Sequence, residues 1–143
     1  DTVDELRDEG HKIGVLGISS FRPFPIPDIR AALANAQRIV VVEKCFAVGI
    51  GGIVSRDVRM ALRNRPQPVF TVVAGLGGRA VTKASLERLV RDAVADKLDQ
   101  LTFLDLDWNI VNKQLEREKA KRRSGPIAES VLRDIGVVAA KMV

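Results

Sequence analysis

Three places in the sequence combine residue types and spacings that suit chemistry. The first is Gly75-Leu76-Gly77-Gly78-Arg79-Ala80, which fits the pattern G-x-G-x-x-[GA] between an apolar run and a helical pattern. In a dinucleotide site such glycines let backbone amides approach a pyrophosphate at a helix N-terminus, and an acid further on holds the ribose. Asp105 stands where such an acid would end a following strand. Gly75, Gly77, Gly78 and Arg79 are therefore the candidate cofactor-binding residues. Two features weigh against that use. The helix begins near Thr82 rather than at the second glycine, and the strand before the glycines is the third in the chain rather than the first. A glycine turn that packs its loop under a partner uses the same residues. Arg79 suits either an anion or an interdomain salt bridge, and the second is preferred.

The second place is Glu43-Lys44, an acid and a base side by side at the end of a strand. Adjacent strand residues point to opposite faces, so the two cannot act together on one atom. Partner contact is the better use for them. Cys45 follows directly, but the lone His11 lies at the opposite end of the sheet, so a Cys–His nucleophile pair would have to span it. One cysteine and one histidine cannot build a structural zinc site.

The third is a basic run. Between Lys113 and Arg123 six basic residues face two acids, which gives that segment +4 of the formal +5. The high pI describes this segment and not the domain. Its only aromatic neighbour is Trp108, whereas nucleic-acid binding wants interleaved aromatics or a reading motif. The Glu118–Arg122 pair has ordinary i,i+4 surface spacing. A solvated helix or a docking arm is expected, and nucleic acid is not.

The elements that must position these groups alternate. Residues 2–9 read as the end of a helix, with Val3 and Leu6 one turn apart and Gly10 as its stop. Lys12–Ser19 reads as a first strand, weakened by Gly14 and Gly17. Phe21–Pro27, FRPFPIP, reads as a rigid extended crossover because three prolines alternate. Asp28 then leads a short helix with Ile29, Ala32, Leu33 and Ala36 on one face. The β-branched run Ile39–Val42 is a buried strand that stops at Glu43 and Lys44. Gly49, Gly51 and Gly52 follow, and they open a helix over 52–64. Val69–Ala74 is the third strand, and Thr82 caps a helix over 83–97. This rhythm predicts an α/β domain with a parallel sheet over 1–98. Beyond it, 99–143 reads as a mainly helical tail. Leu101–Asp107 is a short possible strand, 108–123 a helix, and Pro126 starts another with a broad apolar face, whose end also reads as a strand.

Size and composition bound the rest. A chain of 143 residues, 46% of them hydrophobic, is long enough for a core without disulfides or metals. No apolar run approaches the length of a membrane span, and the N-terminal DTVDELRDEG is no signal peptide. One cysteine excludes an internal disulfide and fits a reducing cytosol, so a cytoplasmic location is expected.

Taken in order, FRPFP, VVVEKCFAVGIGG and AGLGGRAVT resemble the transketolase C-terminal-like domain of the alpha chain of pyruvate:ferredoxin oxidoreductase and other 2-oxoacid:ferredoxin oxidoreductases. The resemblance covers about residues 2–95. It implies a three-layer parallel-sheet fold and an enzyme complex that oxidatively decarboxylates a 2-oxoacid. There thiamine diphosphate with magnesium forms the carbanion, [4Fe–4S] clusters pass electrons to a ferredoxin-type acceptor, and coenzyme A takes the acyl group. None of these cofactors is expected on this chain, which lacks a thiamine motif and cluster cysteines. The implied partners are thiamine-binding and iron–sulfur domains or subunits, and the chain alone is expected to be inactive. Pro23, Glu43, Gly51, Gly75, Gly77, Gly78 and Arg79 match motif positions without being catalytic ones. With Phe24, Gly49 and Gly52, residues Pro23, Glu43, Gly51 and Arg79 form the expected interface. Ala80 stands where the family pattern often has an acid, which leaves no ion pair to carry over there. The resemblance also implies a strand ahead of the helix ending near Gly10, lying between Lys12–Ser19 and Ile39–Val42. Its place is expected to be filled by another polypeptide or by the tail folding back. The rival readings are a stand-alone nucleotide- or phosphate-binding module built on GLGGRA and an assembly subunit with a basic docking tail.

Overall fold

The computed structural model describes residues 2–120, so the end of the basic run and the helix expected from Pro126 lie outside the described residues. Residues through Asp105 make one compact unit, and Leu106 onward a second. In the first unit α1 spans Thr2–Asp8, α2 Ile26–Ala32, β1 Ile39–Glu43, α3 Ile53–Ala61, β2 Val69–Val73, α4 Lys83–Val94 and β3 Leu101–Phe103. The three strands are all parallel, in the order β1-β2-β3. Parallel neighbours need long crossovers, and α3 and α4 supply them.

Burial follows from that layout. Every residue of β2 is buried, as expected of a central strand covered on both faces. On one face Ile39, Val41 and Val69 pack with Val58 and Leu62 from the end of α3 and the residue after it, and Ile18, Phe24, Leu33, Ala36 and Val54 close around them. On α1, Leu6 is fully buried, and α1 packs against α4. Two exposed ion pairs join those helices, Lys83–Glu5 at 2.5 Å and Arg91–Glu9 at 2.7 Å.

Arginines finish several elements. Arg30 donates to the Ala61 carbonyl at the end of α3. Arg38 donates to the Ala93 carbonyl near the end of α4 and pairs with Asp96 at 2.8 Å, a cation placed where the helix dipole is negative. Arg59 reaches the Val69 carbonyl at 2.9 Å and the buried Thr71 hydroxyl at 2.8 Å. In the second unit α5, Trp108–Ala120, is capped by the Asp107 carboxylate, which accepts from Asn109 N–H at 3.0 Å.

Three expectations are corrected. Lys12–Ser19 forms no strand. It runs without ladder partners, and Val15 stays 74% exposed. A strand exists only through a neighbour, and no described strand lies alongside to form a ladder with it. The second correction concerns α2, which starts at Ile26, inside the stretch read as extended. Pro27 falls in the first turn, where a missing N–H leaves nothing unpaired. Finally, α3 and α4 both end three residues early. Asn64 and Asp96 take φ of +70° and +59°, and such left-handed residues terminate a helix.

Candidate functional site

At the carboxyl end of β1 the buried Glu43 turns inward. Helix α3 begins after Gly52, which has no side chain with which to cap it, so the first helical N–H groups need an outside acceptor. The Glu43 carboxylate provides it, taking Val54 N–H at 2.8 Å on one oxygen and Ser55 N–H at 3.0 Å on the other. An anion at a helix N-terminus is also favoured by the dipole. Gly52 is required by this arrangement, since a Cβ there would lie 2.0 Å from Glu43 Oε1 and 2.6 Å from its Cδ. The acid and the glycine of VVVEKCFAVGIGG are thus two halves of one joint between strand and helix.

Between them the chain makes a tight turn. Ala47 and Gly51 exchange backbone hydrogen bonds of 2.9 and 2.7 Å, and Gly49 and Gly51 sit at φ of +80° and +90°, which glycine tolerates best. Phe46 at its base meets Phe103 of β3 edge-on at 5.1 Å. Lys44 and Cys45 are exposed.

The second glycine cluster folds as a short 3-10 turn over Leu76–Gly78, with Gly75, Gly77 and Gly78 all left-handed. The helix that follows has its own cap, the Thr82 hydroxyl, which accepts from Ser85 N–H at 3.1 Å. Arg79 donates to the backbone carbonyl of Asp105, so it ties the turn after β2 to the turn after β3. The Asp105 carboxylate meets Arg88 at 2.5 Å. A hydrogen bond from Ser85, then Arg88 and Arg79, hold that carboxyl below its usual range despite desolvation.

These turns enclose an open cleft of about 330 Å³ at the carboxyl edge, walled by Val42, Glu43, Lys44, Gly75, Arg79 and Val81 among others. In open α/β sheets this edge is where ligands and partners sit. The structure therefore brings Glu43, Lys44, Gly75, Gly78 and Arg79 together, with Gly77 in the adjoining turn. It keeps His11 apart, 3.8 Å from Glu9. Pro23 and Phe24 lie on the crossover ahead of α2, with Pro23 exposed and Phe24 half-buried on the core.

One ion pair was not legible beforehand. Arg22, in FRPFP, reaches the buried Asp57 of α3 at 2.8 Å and lies over the Phe21 ring at 4.1 Å. A carboxylate, Asp57, among the inward-facing residues of α3 was the signal for it. Among the described residues no group of three or more His, Cys, Asp or Glu side chains gathers where it could hold a metal ion. A [4Fe–4S] cluster takes four thiolates, and the whole sequence has one cysteine, so the chain does not fit such a cluster by itself. Among the same residues no helix is long and apolar enough to cross a membrane.

Fold and site together define an open parallel α/β domain whose edge turns are held by the domain's own acids and arginines. A sequence model of the pyruvate:ferredoxin oxidoreductase core domain II matches residues 1–86, and the chain belongs to that family. It is 37% identical over 91 residues to pyruvate synthase subunit PorA of Methanothermobacter thermautotrophicus, covering 64% of this chain and 23% of that protein. With PorA of Pyrococcus horikoshii the identity is 38% over 95 residues, 65% of this chain and 24% of the relative. Ketoisovalerate oxidoreductase subunit VorA of the same organism is 32% identical over 114 residues, 76% of this chain and 28% of the relative. The chain thus spans about a quarter of the length of the curated relatives it matches.

Proposed function

We propose that the chain is a structural domain of a thiamine-diphosphate-dependent 2-oxoacid:ferredoxin oxidoreductase, one that converts pyruvate or a related 2-oxoacid to its acyl-CoA. The observation that carries this reading is the employment of the acids at the carboxyl edge. Glu43 is committed to two helix N–H groups and Asp105 to Arg88, so neither is free to move a proton for a substrate. Thiamine diphosphate, magnesium, the clusters and coenzyme A then belong to other domains or subunits, with a ferredoxin-type protein as electron acceptor. The chain alone is inactive. Its turns at Pro23, Gly49, Gly51 and Arg79 meet neighbouring parts of the assembly, while Glu43 and Gly52 keep one of those turns in shape.

The sheet supports the same reading. Ile39 N–H donates to the Pro68 carbonyl and Ala74 N–H to the Glu43 carbonyl, so residues 39, 41 and 43 face β2. By the alternation of a parallel ladder, Val40 and Val42 aim their N–H and C=O groups at the opposite edge. No described residue pairs with them there. Unpaired strand edges invite a further strand, and Lys12–Ser19 belongs to no ladder among the described residues. A segment from outside the described residues, either of another polypeptide or of the tail folding back, completes the sheet in the working assembly.

The test is the assembled oxidoreductase carrying Glu43→Gln. Its specific activity with 2-oxoacid, coenzyme A and a viologen acceptor should stay within twofold of the parent per intact complex, while the yield of complex falls. A loss of tenfold or more in kcat with assembly intact would refute the structural role.

A further inference from the structure

The turn after β1 holds an apolar tip in water. Val48 is 91% exposed and Ile50 60%, although both sit on backbone fixed by the Ala47–Gly51 hydrogen bonds. Val42 (47% exposed), Leu76 and Val81 are also uncovered at this edge of the sheet. Leaving aliphatic side chains in water forgoes the free energy of burying them. A turn this well bonded loses little freedom when covered, which favours use of the tip as a preformed knob.

Charge indicates what covers it. The cleft beside the turn carries Lys44, whose ammonium has no ion pair among the described residues, and Arg79, whose hydrogen-bond acceptor is a neutral carbonyl. The carboxylates nearby are already engaged, Glu43 by N–H groups and Asp105 by Arg88. The wall thus offers two cations and no free acid. A small anion would satisfy the cations but leave Val48 and Ile50 in water.

We infer that this edge docks an apolar, acid-bearing segment of another subunit of the oxidoreductase. Its aliphatic side chains cover Val48 and Ile50, and its carboxylate enters the cleft between Lys44 and Arg79. The inference rests on the membership in the complex proposed above and adds the surface, its anchor residues and the chemistry of its partner.

The experiment uses the assembled complex with a photo-reactive diazirine side chain at position 48. Illumination should join Val48's position to a peptide of a different subunit that contains Asp or Glu beside apolar residues. Val48→Asp and Lys44→Glu should each weaken retention of this subunit at least tenfold, and the Lys44→Glu effect should shrink at high salt. Position 48 is almost wholly exposed, so an unchanged melting curve shows that loss of retention is not loss of fold. Cross-links only within this chain, to a second copy of it or to nothing would overturn the inference, as would retention unaffected by both variants. Binding of inorganic phosphate in the cleft without any cross-link would overturn it too. Failure of the subunit to join the oxidoreductase at all would instead refute the function proposed above.

Discussion

Glu43 and Gly52 hold the joint on which the carboxyl edge depends, and each makes the other necessary. Removing the carboxylate orphans two helix N–H groups, one of them buried. Caps and unpaired buried donors are worth about 1–3 kcal/mol. Glu43→Ala should therefore cost about 2 kcal/mol in urea unfolding, and Glu43→Gln about half of that because an acceptor remains. Gly52→Ala forces a Cβ into the space of the carboxylate and should cost about 1–3 kcal/mol. In the Glu43→Ala background the same substitution should cost less, since most of the crowding atoms are gone and neighbouring sites do not add. Strict additivity in that cycle would show that the two residues are independent. The arginines differ by the burial of their partners. Arg22→Ala strands the buried carboxylate of Asp57, and because Arg22 is itself 57% exposed the loss should be moderate, about 1–2 kcal/mol. Arg91→Ala breaks a pair exposed on both sides and should cost under ~1 kcal/mol in the same assay.

At the scale of elements, the turn after β2 is locked to the turn after β3 through Arg79, Arg88 and Asp105. The folded Asp105 carboxyl titrates below its unfolded value, chiefly through the Ser85 hydrogen bond and then Arg88. Its contribution is therefore fully present above the unfolded value of about 4 and is lost as pH falls through the lower folded one. Urea midpoints of the parent and of Asp105→Asn should differ at pH 7 and converge as the pH falls below the usual carboxylate range. A gap that persists unchanged into acid would contradict this. The same elements show what periodicity can and cannot reveal. β1, β2, the Thr82 cap and the α3 and α4 faces were legible because each is a local pattern of apolar spacing or turn chemistry. Lys12–Ser19 has the composition of a strand, but strand formation depends on a neighbour that composition cannot supply. The glycines of GLGGRA matched a phosphate loop in type and order, yet they bend a turn whose helix starts four residues later under its own threonine cap. Glu43 was visible as an acid after a buried strand. Its role was recoverable only by noticing that the helix ten residues on follows two glycines and lacks a side-chain cap.

The unit through Asp105 is built on a three-stranded parallel layer with a covered central strand and β1 at one edge. β2 is buried throughout, while on β1 Val40 and Val42 turn backbone outward that pairs with no described residue. The family relation explains why such a layer is useful, since the relatives are subunits about four times as long as the part matched here. Amide hydrogen exchange at Val40 and Val42, read in the chain by itself and in the assembled oxidoreductase, addresses that design most directly. Both amides should exchange almost freely in the chain by itself and slow at least a hundredfold in the assembly, with Val72 protected in both. Equal exchange in the two states, whether fast because the edge stays bare or slow because the chain covers it unaided, would contradict a sheet completed by a neighbour.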